Sequence, residues 1–258
     1  MIESRLTGVL SPDPAHGAYQ HFSVAPAVTS SKIPGSTSFA EAAVLPVAFD
    51  TALIGLCSEE GKGLGLPLPS LSQAEHVSDS TVVIWGGSSS VGSMATQLAT
   101  AAGVRVISIA SKHNFDFCRS CGASEVFSYK EADVVENIVG AVKEAGGTFG
   151  GIFDCVSMAE QSFEPCQAII KALGGGTLAV VLPRGPEAVE EGVKVTQVWG
   201  MGPLTHPFWN DYINTALKTG QLKCLPAPVV VGQGLESLQT GIDRSRKGAS
   251  AQKFVVEL

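Results

Sequence analysis

The stretch Thr81–Thr100, TVVIWGGSSSVGSMATQLAT, decides the fold. Thr81–Trp85 is a short apolar run rich in β-branched residues, the pattern of a buried strand. Gly86–Gly92 (GGSSSVG) follows as a turn of small residues. Ser93–Ala102 then has helical spacing, with Met94, Leu98, Ala101 and Ala102 on one side. Strand, glycine/serine turn and helix start together form an anion cradle, in which turn N–H groups and the helix dipole face a pyrophosphate. Gly87 and Gly92 hold the outer positions of G-x-G-x-x-G, but Ser89 stands at the middle one. A Gly/Ser turn after a strand is also ordinary loop chemistry, so the motif needs support from the chain around it.

That support comes downstream. A strand at Val104–Ala110 precedes a helix at Asn114–Cys121, and a short strand at Glu125–Ser128 precedes a helix at Asp133–Glu144. Gly151–Cys155 and Gly176–Leu182 read as strands around a helix at Ala159–Leu173, and Lys194–Trp199 as a sixth strand. Strands alternating with amphipathic helices specify an α/β fold: a doubly wound parallel sheet, the Rossmann arrangement, with its ligand at the carboxyl ends of the strands. Beyond it, Trp209–Thr219 and Leu235–Lys247 are helical and Lys253–Leu258 is a terminal strand.

Upstream, Met1–Ile33 is irregular, with one strand-like run at Ala18–Val24 and too few apolar residues for a core. Ser38 and Glu41 have capping-box spacing before a helix at Phe39–Leu56 interrupted by Pro46. The expected division is a β-rich remnant over residues 1–37, a nucleotide-binding domain over 38–205, and a tail over 206–258 that returns to the remnant.

Hydrophobic residues make up 45% of the 258, charged residues 16%, and the net charge is −7. A substantial core follows, and the negative charge with no basic run argues against nucleic acid or membrane as partner. The first residues, MIESRLTGVL, lack signal-peptide layout, so a cytoplasmic setting with six reduced cysteines is expected. Cys118 and Cys121 have C-x-x-C spacing, but no second pair or histidine cluster completes a metal site. No H-E-x-x-H, G-x-S-x-G or Walker lysine occurs, which leaves chemistry that a cofactor supplies.

The second strand ends in Ser111-Lys112-His113-Asn114, with no carboxylate where an NAD-type fold places one for the ribose. Ser and Lys can instead donate to a 2′-phosphate, so this reading favours NADPH, with Lys112 its phosphate partner.

Leu45–Leu56 (LPVAFDTALIGL), Trp85–Met94 (WGGSSSVGSM), Ser111–Phe115 (SKHNF), Gly122–Tyr129 (GASEVFSY) and Gly248–Leu258 carry a resemblance. They are similar to the fungal trans-acting enoyl reductases, in the zinc-free branch of the medium-chain dehydrogenase/reductase superfamily. The resemblance implies NADPH-dependent reduction of the α,β-double bond of an acyl thioester, in secondary metabolism. The chain being reduced would be carried on the acyl carrier domain of a separate polyketide synthase. By the same resemblance Ser88, Ser89, Ser90 and Val91 lie on the pyrophosphate, and Ser111, Lys112, His113, Asn114 and Tyr129 surround the adenosine phosphate. Val181 and Leu182 approach the nicotinamide, and Ala249 and Ser250 close over the cofactor. Val198, Trp199, Gly200, Met201 and Gly202 contact substrate, and Arg184 is a candidate to stabilise an enolate. No catalytic acid is identified and no metal is expected. Members begin with a GroES-like β domain, of which this sequence is expected to hold only the final piece. The competing readings are a reductase of small quinones or enones, and a nucleotide-binding remnant without catalysis.

Overall fold

The computed structural model describes residues 6–8, 16–59, 61–72, 78–183 and 189–258. Two short strands, β1 (Leu6–Gly8) and β2 (Ser30–Lys32), pair antiparallel. The run 18–24 is not a strand: among the described residues no strand pairs with it, and Tyr19, Phe22 and Val24 stay exposed, Phe22 at 92%. Helix α1 (Phe39–Ala42) begins with the expected capping box, Ser38 accepting from the Glu41 N–H while Glu41 accepts from the Ser38 N–H at 2.7 Å. Pro46 opens a second helix, α2 (Pro46–Cys57), rather than bending one, because proline is tolerated in a first turn. Phe39–Cys57 has the length and composition of a membrane span, but 67% of its apolar window is buried inside the fold.

Strand β3 (Ser80–Trp85) runs into the glycine turn and α3 (Ser90–Ala101). Then come β4 (Arg105–Ala110), α4 (Phe115–Ser120), β5 (Glu125–Ser128), α5 (Val134–Ala145) and β6 (Thr148–Asp154). They continue with α6 (Glu164–Ala172), β7 (Gly176–Val180) and β8 (Val193–Gln197). The six strands β3 to β8 form one parallel sheet in the order β5-β4-β3-β6-β7-β8, as expected of a doubly wound fold.

Alternation along β3 divides the core. Val82 and Ile84 face a cluster with Phe49, Leu53, Met94, Leu98 and Trp209, while Val83 and Trp85 face Ile107, Ile138, Ile169 and Leu178. Both faces are covered, which is why β3 reads as a continuous apolar run instead of alternating with polar residues.

Past the sheet lie α7 (Ile213–Thr219), β9 (Ala227–Gln233), α8 (Leu238–Arg246) and β10 (Gln252–Glu257). β9 and β10 pair in parallel as a separate two-stranded sheet, and neither joins β1 or β2.

Candidate functional site

The site grows from the β3–α3 turn. Gly86 adopts φ +80°, which a side chain would strain. A Cβ on Gly92 would strike the Gly86 carbonyl and lie 2.9 Å from the Cα of Gly87. These glycines let the helix start press against the strand end. The Ser89 side chain caps the helix, accepting from the Gly92 N–H at 3.0 Å. The N–H groups of Ser90 and Val91, first in the helix, donate to no acceptor among the described residues. Two unspent donors at the positive end of a twelve-residue helix suit the pyrophosphate of a dinucleotide.

A cleft of about 610 Å³ opens beside this turn at the carboxyl ends of β3 and β4. Of the sequence-predicted residues, Ser88, Ser89, Ser111, His113, Asn114, Tyr129, Ala249 and Ser250 line it. Residues far apart in sequence are tied across it. Asn114 Nδ2 donates to Ser88 Oγ at 3.1 Å and to Ser250 Oγ at 3.0 Å, and His113 Nε2 lies 2.9 Å from Ser250 Oγ. The segment before β10 is thereby latched to the turn after β4.

Strand register explains the far end of the cleft. Ala110 pairs with Ser128, so the residues just beyond, Ser111 and Tyr129, meet with their oxygens 2.9 Å apart. Lys112 follows Ser111 but does not line the cleft; its Nζ sits 2.9 Å from Glu131 Oε1.

Another network sequence reasoning missed closes the loop after β6. Asp154, fully buried, accepts from the N–H groups of Val156 and Ser157 at 2.9 and 2.8 Å and from Ser162 Oγ at 2.8 Å. Ser157, at φ +57°, donates its hydroxyl to the Asp154 carbonyl and accepts from the Val181 N–H at 2.9 Å. The Val181 N–H is thus spent within the protein, while Leu182 beside it is exposed. Arg184 lies outside the described residues.

A second groove, about 720 Å³, lies where β8 ends. Trp199, Met201 and Gly202 line it with Ile54, Pro203 and Leu204, and Trp199 is 65% exposed. Val198 is not in it: its side chain is 4% exposed and packs in the core against the α2 side of the sheet. Gly200 lies against α2, where a Cβ would press on Thr51.

A family model described as zinc-binding dehydrogenase matches residues 90–201. The dehydrogenase orsE of Emericella nidulans is 41% identical over 254 residues, covering 95% of this chain and 72% of that protein. The trans-enoyl reductase himH of Aspergillus japonicus is 36% identical over 250 residues, with 94% and 69% covered. This chain belongs to the fungal trans-enoyl reductases and related dehydrogenases of the medium-chain dehydrogenase/reductase superfamily. A third member, the enoyl reductase component lovC of lovastatin nonaketide synthase in Aspergillus terreus, is 31% identical, with 95% of this chain and 71% of that protein covered. Medium-chain reductases of this kind are oxidoreductases that use nicotinamide cofactors, and this chain is one of them. It spans about 70% of the length of these relatives. The family description mentions zinc, but among the described residues no three His, Cys, Asp or Glu side chains gather to hold a metal ion.

Proposed function

We propose that the chain is an NADPH-dependent enoyl reductase acting on α,β-unsaturated acyl chains carried by the acyl carrier domain of a polyketide synthase. The observation that carries this reading is a pair of cavities where the sheet's strands end, one beside the glycine turn with hydroxyl and amide side chains on its wall, the other walled by Trp199 and Met201. The first cleft offers the Ser111 and Tyr129 hydroxyls to a dinucleotide, and the free Ser90 and Val91 N–H groups stand at the helix start next to its lining residues Ser88 and Ser89. The second groove, walled by Trp199 and Met201 with Glu59 and Lys62 also on its lining, is large enough for an acyl chain. The likeness to himH, a trans-enoyl reductase, and to lovC, the enoyl reductase component of a nonaketide synthase, supports an enoyl substrate and a synthase partner.

When bound, the nicotinamide supplies a hydride to the β-carbon of the enoyl group. The protein's part is positional. The α3 start and Ser88–Val91 hold the diphosphate, Ser111, His113, Asn114 and Tyr129 hold the adenosine end, and Ala249 and Ser250 cover it. The loop at 154–158, braced by Asp154, keeps the ends of β6 and β7 in register beneath Val181 and Leu182. Residues 38–205 form the nucleotide-binding unit on this reading; from the tail 206–258, Trp209, Tyr212, Ile213 and Ala216 pack into that unit's core, while β9 and β10 form a sheet of their own.

The test compares substrates with the purified protein and NADPH. A carrier-bound enoyl thioester should be reduced and a small quinone should not; reduction of the quinone alone would replace this reading with a quinone reductase. Cofactor choice has its own test. Lys112→Glu should weaken NADPH by about 1–3 kcal/mol, a charge-assisted hydrogen bond lost and a repulsion added, with NADH little changed. Calorimetric titration of both cofactors reads the difference.

A further inference from the structure

By sequence position, no carboxylate faces the ribose end of the cleft, because Ser111-Lys112-His113 follows the second strand. The folded chain brings one up to Lys112, beside the lining residues Ser111, His113 and Lys130, although Glu160 is the carboxylate on the wall itself. β5 lies beside β4 in parallel, Ala110 opposite Ser128, so the loops leaving both strands run together. Glu131, three residues past the end of β5, reaches back and pairs with Lys112 at 2.9 Å. Its backbone is fixed there, the Glu131 N–H donating to the Ser128 carbonyl at 3.1 Å and its own carbonyl accepting from the Val134 N–H at 3.3 Å. Lys130, between them, extends over the Tyr129 ring, 5.8 Å from its centre.

We propose that Glu131 is a specificity-determining residue that restrains the preference for a 2′-phosphorylated nucleotide. This inference rests on the NADPH reading and deepens it. Lys112 can donate to a 2′-phosphate only by giving up Glu131, and the released carboxylate then stands near a group carrying close to two negative charges. The same carboxylate can accept from an unphosphorylated ribose hydroxyl, the role that nucleotide folds give to an acidic residue after the second strand. Glu131 therefore opposes the phosphate twice, by occupying its cation and by repelling it, while tolerating a free ribose. The net preference is smaller than Ser111 and Lys112 alone would set. Both partners are substantially solvent-exposed, with side-chain exposures of 71% and 34%, so the effect is moderate and screened by salt.

The experiment measures binding, not turnover. 2′,5′-ADP and 5′-AMP differ only in the 2′-phosphate, and each is titrated calorimetrically against the wild type, Glu131→Gln, Glu131→Ala and Lys112→Gln. Either Glu131 variant should raise the ratio of 2′,5′-ADP to 5′-AMP affinity by roughly three- to tenfold at low salt, shrinking towards unity as ionic strength rises. Lys112→Gln should lower that ratio. An unchanged or lower ratio in both Glu131 variants, with the wild type still preferring 2′,5′-ADP, overturns the proposal: Glu131 would then merely hold Lys112 in place. A wild type that binds neither nucleotide, or shows no preference in any variant, overturns the NADPH reading itself and this inference with it.

Discussion

Replacing Gly92 with alanine should weaken nucleotide binding by roughly a hundredfold or more and cost about 1–3 kcal/mol of stability. The new methyl meets the Gly86 carbonyl and the Cα of Gly87, all of it backbone with no flexible side chain to give way. The turn must move, and the N–H groups of Ser90 and Val91 move with it. A donor displaced by an ångström no longer points at the same oxygen, so affinity falls further than stability does. The control is Gly140→Ala in α5, where an added Cβ meets nothing within 4 Å and helix propensity improves. Calorimetric titration of NADPH alongside thermal denaturation separates the two losses. A Gly92→Ala protein that binds like the parent would show that this turn does not hold the cofactor.

The second large effect concerns Asp50 on α2 and the Trp209 that packs against it, both buried. Trp209 Nε1 donates to Asp50 Oδ1 at 2.7 Å, and Trp209 is among the largest fully buried side chains. Burial pushes the Asp50 carboxyl up to about 6, while hydrogen bonds from Trp209 and Thr205 pull it back down. The folded chain thus holds this proton more tightly than the unfolded one, whose ordinary value is 3.8. Stability should fall as pH climbs from about 4 to about 6, by about 3 kcal/mol for this one group, and level off above. Trp209→Phe keeps most of the bulk and removes the donor. At pH 7.5, with Asp50 ionised and deprived of a partner, the loss should be about 2–4 kcal/mol; at pH 5, with Asp50 largely protonated, it should be visibly smaller. Urea denaturation at both pH values decides. An equal loss at each would mean the charge on Asp50 is not what Trp209 serves.

How far the amino-acid order revealed this molecule depends on the range of the interactions involved. The inner strands β3, β4, β6 and β7 were legible because burial on both faces leaves largely apolar runs, the edge strands β5 and β8 because they alternate with helices along the chain, and the start of α1 because Ser38 and Glu41 satisfy each other three residues apart. β9 was not: Pro228 and Gly232 break its pattern, and it exists because β10 lies beside it. The run 18–24 has the right residues for a strand and, among the described residues, no strand to pair with. The cleft beside the glycine turn follows the same logic. Ser88, Ser111, Asn114 and Tyr129 sit at strand ends, a position that follows from element order, and eight predicted residues converge there. Val198 was expected at the substrate and lies in the core, since a residue continuing the line of β8 packs under its neighbours before the chain turns out to Trp199. Glu131 and Asp154 had no sequence signal, because register and loop closure bring their partners to them.

The six thiols carry a practical corollary. Cys118, Cys121 and Cys166 are enclosed, and Cys57, Cys155 and Cys224 are half-covered, yet burial raises all six above the ordinary thiol value, Cys57, Cys121 and Cys224 to about 12. Only thiolate reacts with an alkylating agent such as iodoacetamide. Labelling of the native protein should therefore be much slower than labelling of the unfolded chain, with the enclosed Cys118, Cys121 and Cys166 waiting on local opening and so reporting how often the chain loosens around them.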